Sequence, residues 1–261
     1  MSPAAFLAAA LTGLLAAQGT PPAAAPARPV PPPSDAAALG FLRSVVDKRL
    51  YSLEAAGAAR VRGTAQVTFD VLARGSAVKS TALELQLLCD YATGQTSAVP
   101  AAPPTESQSA ILPYAVAAAQ RGFSWLPSRE AELWTATFAS DGELLRLDYR
   151  PAPGTAGAHA SLWTEWHRSD GTPVRRRVSS LRPIGEATEP IVQEIVPAFT
   201  ERKGRLLLTD LKPGDPEGRF SWSFEYEEKD GFLVLKKLVQ RNEGWRMTVQ
   251  FSLAVERPAA R

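Results

Sequence analysis

Few side chains in this sequence could do chemistry near neutral pH. Of 261 residues two are histidine, His159 and His167, and one is cysteine, Cys89. His167 lies in Trp163-Thr164-Glu165-Trp166-His167-Arg168-Ser169-Asp170, where an acid and a hydroxyl are close enough in sequence to write down a hydrolytic triad. Ser169 and Asp170 fall in a turn, however, and no strained Gly-x-Ser-x-Gly elbow surrounds a serine here. Glu165 and His167 share a strand face, the geometry of a two-ligand metal site, but no third ligand can be named from the spacing. Cys89 sits in an apolar row with no histidine or helix end beside it, which reads as a small buried hydrophobe rather than a nucleophile. Phosphate-binding glycine loops, His-Glu-x-x-His and Cys-x-x-Cys are absent from the sequence. No catalytic residue, metal ligand or cofactor is assigned, and a hydrolase using His167 is kept as an alternative.

Binding chemistry is better represented. Arg175, Arg176 and Arg177, with Arg168 and Arg182, form the one basic cluster. A strand turns Arg175 and Arg177 to one side and Arg176 to the other, so the trio reads as a charged, aggregation-resistant sheet face, with an anionic headgroup or an acidic partner as the functional alternative. The cleanest pattern is aromatic. Phe220, Trp222, Phe224 and Tyr226 alternate with Ser221, Ser223 and Glu225, and Trp245, Met247, Val249, Phe251, Leu253 and Val255 alternate with polar residues. Upstream, Leu83, Leu85 and Leu87 occupy every second position in the same way. A cleft between a covering helix and these rows would be lined by Leu83, Leu85, Leu87, Phe220, Trp222, Phe224, Trp245, Met247 and Phe251, and would accept an apolar ligand.

The elements that must position these rows follow from periodicity. Ser34 is the expected N-cap of an amphipathic helix carrying Leu39, Leu42, Val46, Leu50 and Leu53 up to Gly57, about six turns. Strands follow over Arg60 to Leu72 and Val78 to Tyr91, joined across Arg74-Gly75-Ser76. After a Pro/Ala patch at Ser97 to Pro104, a short helix is expected from Pro113 to Arg121, closed by Gly122. Strands resume over Glu132 to Ala139, Glu143 to Arg150, Ser161 to His167 and Pro173 to Leu181. One or two short strands at Ile191 to Phe199 and Arg205 to Asp210 precede the C-terminal trio, Arg219 to Glu256. Phe232 to Val239, the middle strand of that trio, is apolar on both faces until Lys236 and Lys237 interrupt it, which suits a central strand carrying a bulge or running out from under a cover. The joints Asp141-Gly142, Asp170-Gly171, Asp230-Gly231 and Asn242-Glu243-Gly244 read as tight hairpins, glycine supplying the positive φ.

Bulk properties bound the partners. The formal net charge of +2 leaves no field strong enough to imply nucleic acid. Residues 1–19 read as a cleaved export signal: the apolar run Ala4 to Ala17 falls short of the roughly 20 residues of a membrane-spanning helix and ends at the small-x-small site Ala17-Gln18-Gly19. Residues 20–33 are proline and alanine in the main, an extended tether. Residues 34–257 are expected to form one domain.

This order of elements, an export signal, one amphipathic helix and a long antiparallel meander, resembles the LolA/LolB-type half-barrel of periplasmic lipoprotein carriers and receptors. The similarity lies in Leu39 to Leu53 for the helix, Ser140 to Pro151 for a hairpin ending in Asp-Tyr-Arg-Pro, and Glu228 to Val255 for the closing hairpins. It implies a curved sheet with helices in its concave face, enclosing an apolar cavity for acyl chains or a hydrophobic segment of a partner. An arginine near the start of the sheet matters in the carriers; Arg60 and Arg62 lie in that region, but no motif aligns either.

The expected fold is thus α+β, mainly antiparallel β: a curved half-barrel sheet of about ten or eleven strands with the N-terminal helix packed on its concave face. The expected function is a monomeric, exported, non-enzymatic binding protein of the periplasm or cell envelope, holding a lipid, lipoprotein acyl chain or other hydrophobic ligand between helix and sheet. An envelope sensor or protein-interaction module without a lipid ligand is the first alternative.

Overall fold

The computed structural model describes residues 35–124, 128, 135–138, 144–150, 159–167, 169–184, 187–214 and 220–258. The apolar run 4–17, the proline-rich stretch, Ser34 and the Asp141-Gly142 joint lie outside them. Helix α1 runs over 36–49 as an α-helical turn Ala36–Phe41, a π-helical turn Leu42–Val46 and a closing α turn Asp47–Arg49. Strands β1 (Arg60–Ala73), β2 (Ser76–Asp90) and β3 (Gln95–Pro100) follow, then helix α2 (Glu106–Ala119) with a 3-10 turn Gln120–Phe123. The chain continues through β4 (Thr135–Phe138), β5 (Leu144–Arg150), β6 (His159–His167), β7 (Pro173–Ile184), β8 (Ala187–Arg202) and β9 (Arg205–Pro213). It closes with β10 (Ser221–Lys229), β11 (Phe232–Arg241) and β12 (Trp245–Glu256).

The described strands form one open antiparallel sheet of twelve, in the order β3-β2-β1-β12-β11-β10-β9-β8-β7-β6-β5-β4. From β4 to β12 the chain is a simple meander; β1 then pairs with β12, so the first strand lies beside the last. Alternating apolar residues give the sheet one oily face, and tight turns keep sequential strands adjacent. Arg74-Gly75, Lys203-Gly204 and Asp230-Gly231 each place two residues at positive φ (50° and 81°, 52° and 74°, 52° and 83°), the pattern whose twist matches that of the flanking strands. The β11–β12 joint differs from expectation. Gly244 is not at positive φ; instead the Asn242 Oδ1 accepts from the amides of Gly244 and Trp245, both at 2.9 Å.

Tracing opposite residues across the ladders defines the inner face. One row runs Leu83, Val67, Val249, Leu238, Phe224; a second runs Thr81, Phe69, Met247, Gln240, Trp222, Leu211, Pro197; a third runs Pro213, Ile195, Arg176, Thr164, Leu147. Both helices lie on this face, over different halves. Ala38, Leu42 and Val46 of α1 cluster with Leu147 and Trp166 of β5 and β6. Ile111, Ala115, Ala118 and Ala119 of α2, with Phe123, cluster with β1, β2, β11 and β12. Small residues on α2 bring its backbone close to the sheet.

The helix expectations need correction. The N-terminal helix ends at Arg49, and its cap is Asp35, whose carboxylate accepts from the Ala37 amide at 2.8 Å. Leu50 is extended (φ −84°, ψ 141°) and bridges Leu206 of β9, while Arg205 Nη1 donates to the Asp47 and Leu50 carbonyls at 2.9 and 3.3 Å and so closes the helix C-terminus. Leu53, past a turn begun by Ser52, belongs to the other cluster. The second helix begins at Thr105 rather than Pro113: Thr105 and Gln108 form a reciprocal capping box, and Pro113 lies inside the helix. It ends not at Gly122 but at Ser124, which takes the left-handed conformation (φ 48°). Strand β3 takes in the first part of the Pro/Ala patch, up to Pro100.

The Lys236 bulge is present. Lys237 faces Glu225 and Leu235 faces Tyr226, leaving Lys236 as the extra residue. Beyond it β11 parts from β12, whose ladder with β11 covers only Lys237 to Arg241. The freed Leu233 amide donates to the Tyr51 hydroxyl at 2.7 Å, so the segment after α1 fills the space.

Candidate functional site

The nine residues expected to line a cleft all fall on the inner face, but in two environments. Leu83, Leu85, Leu87, Phe224, Met247 and Phe251 are buried, between 0% and 8% exposed, in the cluster that α2 covers. Phe220, Trp222 and Trp245 are only partly buried. The cover over the aromatic rows is therefore α2 and not the N-terminal helix. Its fit is close: a methyl at Gly122 would stand 2.8 Å from a Phe251 ring carbon, so glycine is needed there for contact, not for its φ. The Tyr91 hydroxyl donates to the Phe123 carbonyl and fastens the end of the 3-10 turn to β2; burial pushes that phenol well above its ordinary range.

The partly buried aromatics lie toward the end of the sheet where β12 begins. Phe69 stacks on Trp245 with ring centres 5.6 Å apart, Phe220 meets Trp222 edge-on at 6.1 Å, and Trp222 meets Phe224 at 6.3 Å. The Arg121 guanidinium stands 5.6 Å above the Trp222 ring, within cation–π range. From Trp222 the same row continues through Leu211 and Pro197, both partly buried, toward Ile195. Leu211 and Trp222 pack against the larger cluster, and the strip runs outward from it across β10, β9 and β8.

The arginine trio divides as the alternation requires. Arg175 faces outward and is held by Glu165 (Nε to Oε2, 2.5 Å) with Glu194 at 3.9 Å. Arg176 turns to the inner face between Thr164 and Ile195, where it is partly buried. Arg177 stands opposite Trp163 and Glu194 in the ladders. Arg175 and Arg176 thus stand on opposite faces of the sheet.

Enzymatic groupings are not brought together among the described residues. His167 is exposed at the end of β6; Glu165, its strand-mate, is engaged by Arg175, and Asp170 Oδ1 accepts from the Thr172 amide at 2.9 Å. That amide holds the Asp170 carboxyl below the ordinary carboxylate range. No group of three metal-ligating side chains is found among the described residues. Cys89 is fully buried in the larger cluster. The other low carboxylates are structural. Asp70 is held down by the Ser80 hydroxyl (2.6 Å) and Arg246 (2.7 Å), and Asp90 falls to about 2 beside Arg60 (2.8 Å). One buried polar contact joins α1 to a later segment: the Asp47 carboxylate accepts from the Ser128 amide (3.1 Å) and hydroxyl (2.5 Å).

Sequence reasoning missed Arg121, Phe69, Leu211 and Pro197. Phe69 was legible as an inward member of β1; the others depend on which strand lies beside which, which periodicity within one strand does not carry.

Sheet and helices together define a class: an open antiparallel half-barrel with helices laid in its inner face. No protein-family profile and no curated protein matches the chain in sequence. Among solved structures it is similar to one described as an outer membrane lipoprotein-sorting protein domain from Vibrio parahaemolyticus, at 10% identity and TM-score 0.35, covering 84% of this chain and 92% of that one. It is also similar to a LolA superfamily protein from Nitrosomonas europaea, at 9% identity and TM-score 0.32 over 85% of this chain and 94% of the other. A DUF1329 family protein from Desulfovibrio piger shows 8% identity and TM-score 0.33 over 88% and 94%.

Proposed function

We propose that this chain is an exported, non-enzymatic binding protein of the cell envelope that holds a lipid, a lipoprotein acyl chain or another hydrophobic ligand between its helices and the inner face of its sheet. One observation carries this: the inner face carries long apolar rows that the two helices cover in separate clusters, and Trp222, Leu211 and Pro197 on it are only partly buried. Partly buried apolar side chains of this kind are where apolar surface can still be removed from water by a ligand. Deeper access would require α2 to lift from Leu83, Leu85, Leu87, Phe224, Met247 and Phe251, since these are buried by the helix and its 3-10 turn. Export rests on the apolar run 4–17; no helix among the described residues is long and apolar enough to cross a membrane.

Native mass spectrometry of the purified protein tests this. The expected result is a co-purifying amphiphile, or uptake of an added one with a shift of its mass, reduced in Trp222→Ala. A protein that stays empty with every amphiphile offered, while folded by circular dichroism, overturns the proposal.

A further inference from the structure

The outer face of the sheet carries a pair of charges set against each other. Arg241 of β11 and Arg246 of β12 are direct partners in the ladder, beside the turn that Asn242 closes. Opposed residues on one face bring their Cβ atoms to about 5 Å, and like charges at that spacing repel. The same row continues to Ser221 on β10 and, on the other side, to Asp70 of β1 and Ser80 of β2.

Asp70 fixes one of the two guanidinium forks. It is 5% exposed; its Oδ1 accepts from the Ser80 hydroxyl at 2.6 Å, and its Oδ2 takes Nε and Nη2 of Arg246 at 3.0 and 2.7 Å. Nη1 of Arg246 stays outside that contact. Arg241 is exposed and has no hydrogen-bond or ion-pair partner among the described residues, while Glu243, the acid in the adjoining turn, is already engaged. One carboxylate thus answers two guanidiniums. Ser221, opposite Arg241, and Thr248, two residues on from Arg246, add hydroxyls to the same face.

We propose that Arg241 and Arg246 form a binding site for a phosphate group, held between their two forks on the outer face of the sheet. A carboxylate is satisfied by one fork; a phosphate has a third oxygen for the second, and its charge removes the repulsion between them. Because Asp70 and Ser80 hold the Arg246 fork in place before anything binds, less ordering is left for the anion to impose. The same chemistry serves a free phosphate or the head of a phospholipid. The site lies on the opposite face from the hydrophobic ligand proposed above and stands independently of it.

Two assays on the full chain test it: isothermal titration with inorganic phosphate at fixed ionic strength, and co-sedimentation with phosphatidylcholine vesicles with and without phosphatidate. The expected result is saturable binding that chloride does not replace. Loss of one charge-assisted contact in Arg241→Gln should weaken it by roughly tenfold or more, and Arg241→Lys should retain part of it. Lys48→Gln, which removes an exposed charge on α1, should leave it within about twofold. Uptake of inorganic phosphate assigns a small soluble ligand, and binding confined to phosphatidate vesicles assigns a lipid head. No binding in either assay overturns the proposal, as does an equal loss in Lys48→Gln and Arg241→Gln. Arg241→Gln also relieves the repulsion, so without phosphate its urea midpoint should equal or exceed that of the wild type; a lower midpoint refutes the premise that Arg241 is unpaired.

Discussion

Replacing Gly63 by alanine is a severe test of the sheet, because the available space can be read directly. Gly63 lies in the middle of β1, opposite Leu253 of β12 and Leu87 of β2, at φ +157°. A methyl there would stand 1.9 Å from the Ser252 carbonyl oxygen, 2.9 Å from its carbon and 3.0 Å from the Leu253 Cα. All three are backbone atoms, so no side chain can swing aside. Relief requires β1 and β12 to part by on the order of 1.5 Å, which takes the nearest ladder bonds beyond hydrogen-bonding distance. Two lost bonds at about 1 kcal/mol each, with the cost of leaving those groups unsatisfied inside the sheet, give a loss of about 3–5 kcal/mol. Against a typical total of about 5–15 kcal/mol, that is a large fraction. Urea unfolding followed by far-ultraviolet circular dichroism should show the midpoint falling sharply at unchanged slope. Gly40→Ala is the control: it sits in α1 with nothing within 4 Å, and alanine there should be neutral or stabilising by up to about 1 kcal/mol. A Gly63→Ala midpoint equal to the wild type would refute the β1–β12 register.

Two further outcomes follow from single contacts. Tyr51→Phe removes the acceptor for the Leu233 amide where β11 has left β12, and should lower stability by about 1–2 kcal/mol, measured by the same unfolding; no change would mean that the amide is satisfied elsewhere. Asp70→Asn weakens the contacts to Arg246 and Ser80 and should cost about 1–2 kcal/mol at pH 7. Because the folded carboxyl is held below its ordinary value of about 4, the wild-type advantage is fully present above that pH and disappears as pH falls through the lower folded value. Thermal melts between pH 7 and pH 2 should therefore converge at the acid end; parallel curves would show that Asp70 is not so held.

The C-terminal trio was legible because each residue in it obeys two demands at once. Trp222 and Phe224 alternate with serines, the flanking joints carry Asp230-Gly231 and Asn242, and Lys236 breaks an apolar run where the register slips. The helices were harder. Leu39, Leu42, Val46, Leu50 and Leu53 keep helical spacing, yet the buried line is Ala38, Leu42 and Val46, because Leu50 is drawn out to pair with Leu206. That partner is far away in sequence, and no local signal announces it. Pro113 was read as a start because proline favours first turns; the capping box of Thr105 and Gln108 is a stronger signal and outranks it. The inner-face rows follow from alternation, so the nine candidate lining residues share one side. Which of them are packed and which remain partly open depends on where α2 comes down, and its small-residue stripe of Ala115, Ala118 and Ala119 has no counterpart in the strands that it covers.

The placement of β1 beside β12 has a consequence for how such a chain is made. Val61 must wait for Val255, so the sheet cannot be completed until nearly the whole polypeptide is available, and the loop to be closed is about as long as the domain itself. The meander from β4 onward can zip locally, but the N-terminal three strands stay unstitched to it until the last segment arrives. Late completion of this kind leaves the inward apolar row of β1 without its second neighbour until the C-terminal segment has been made.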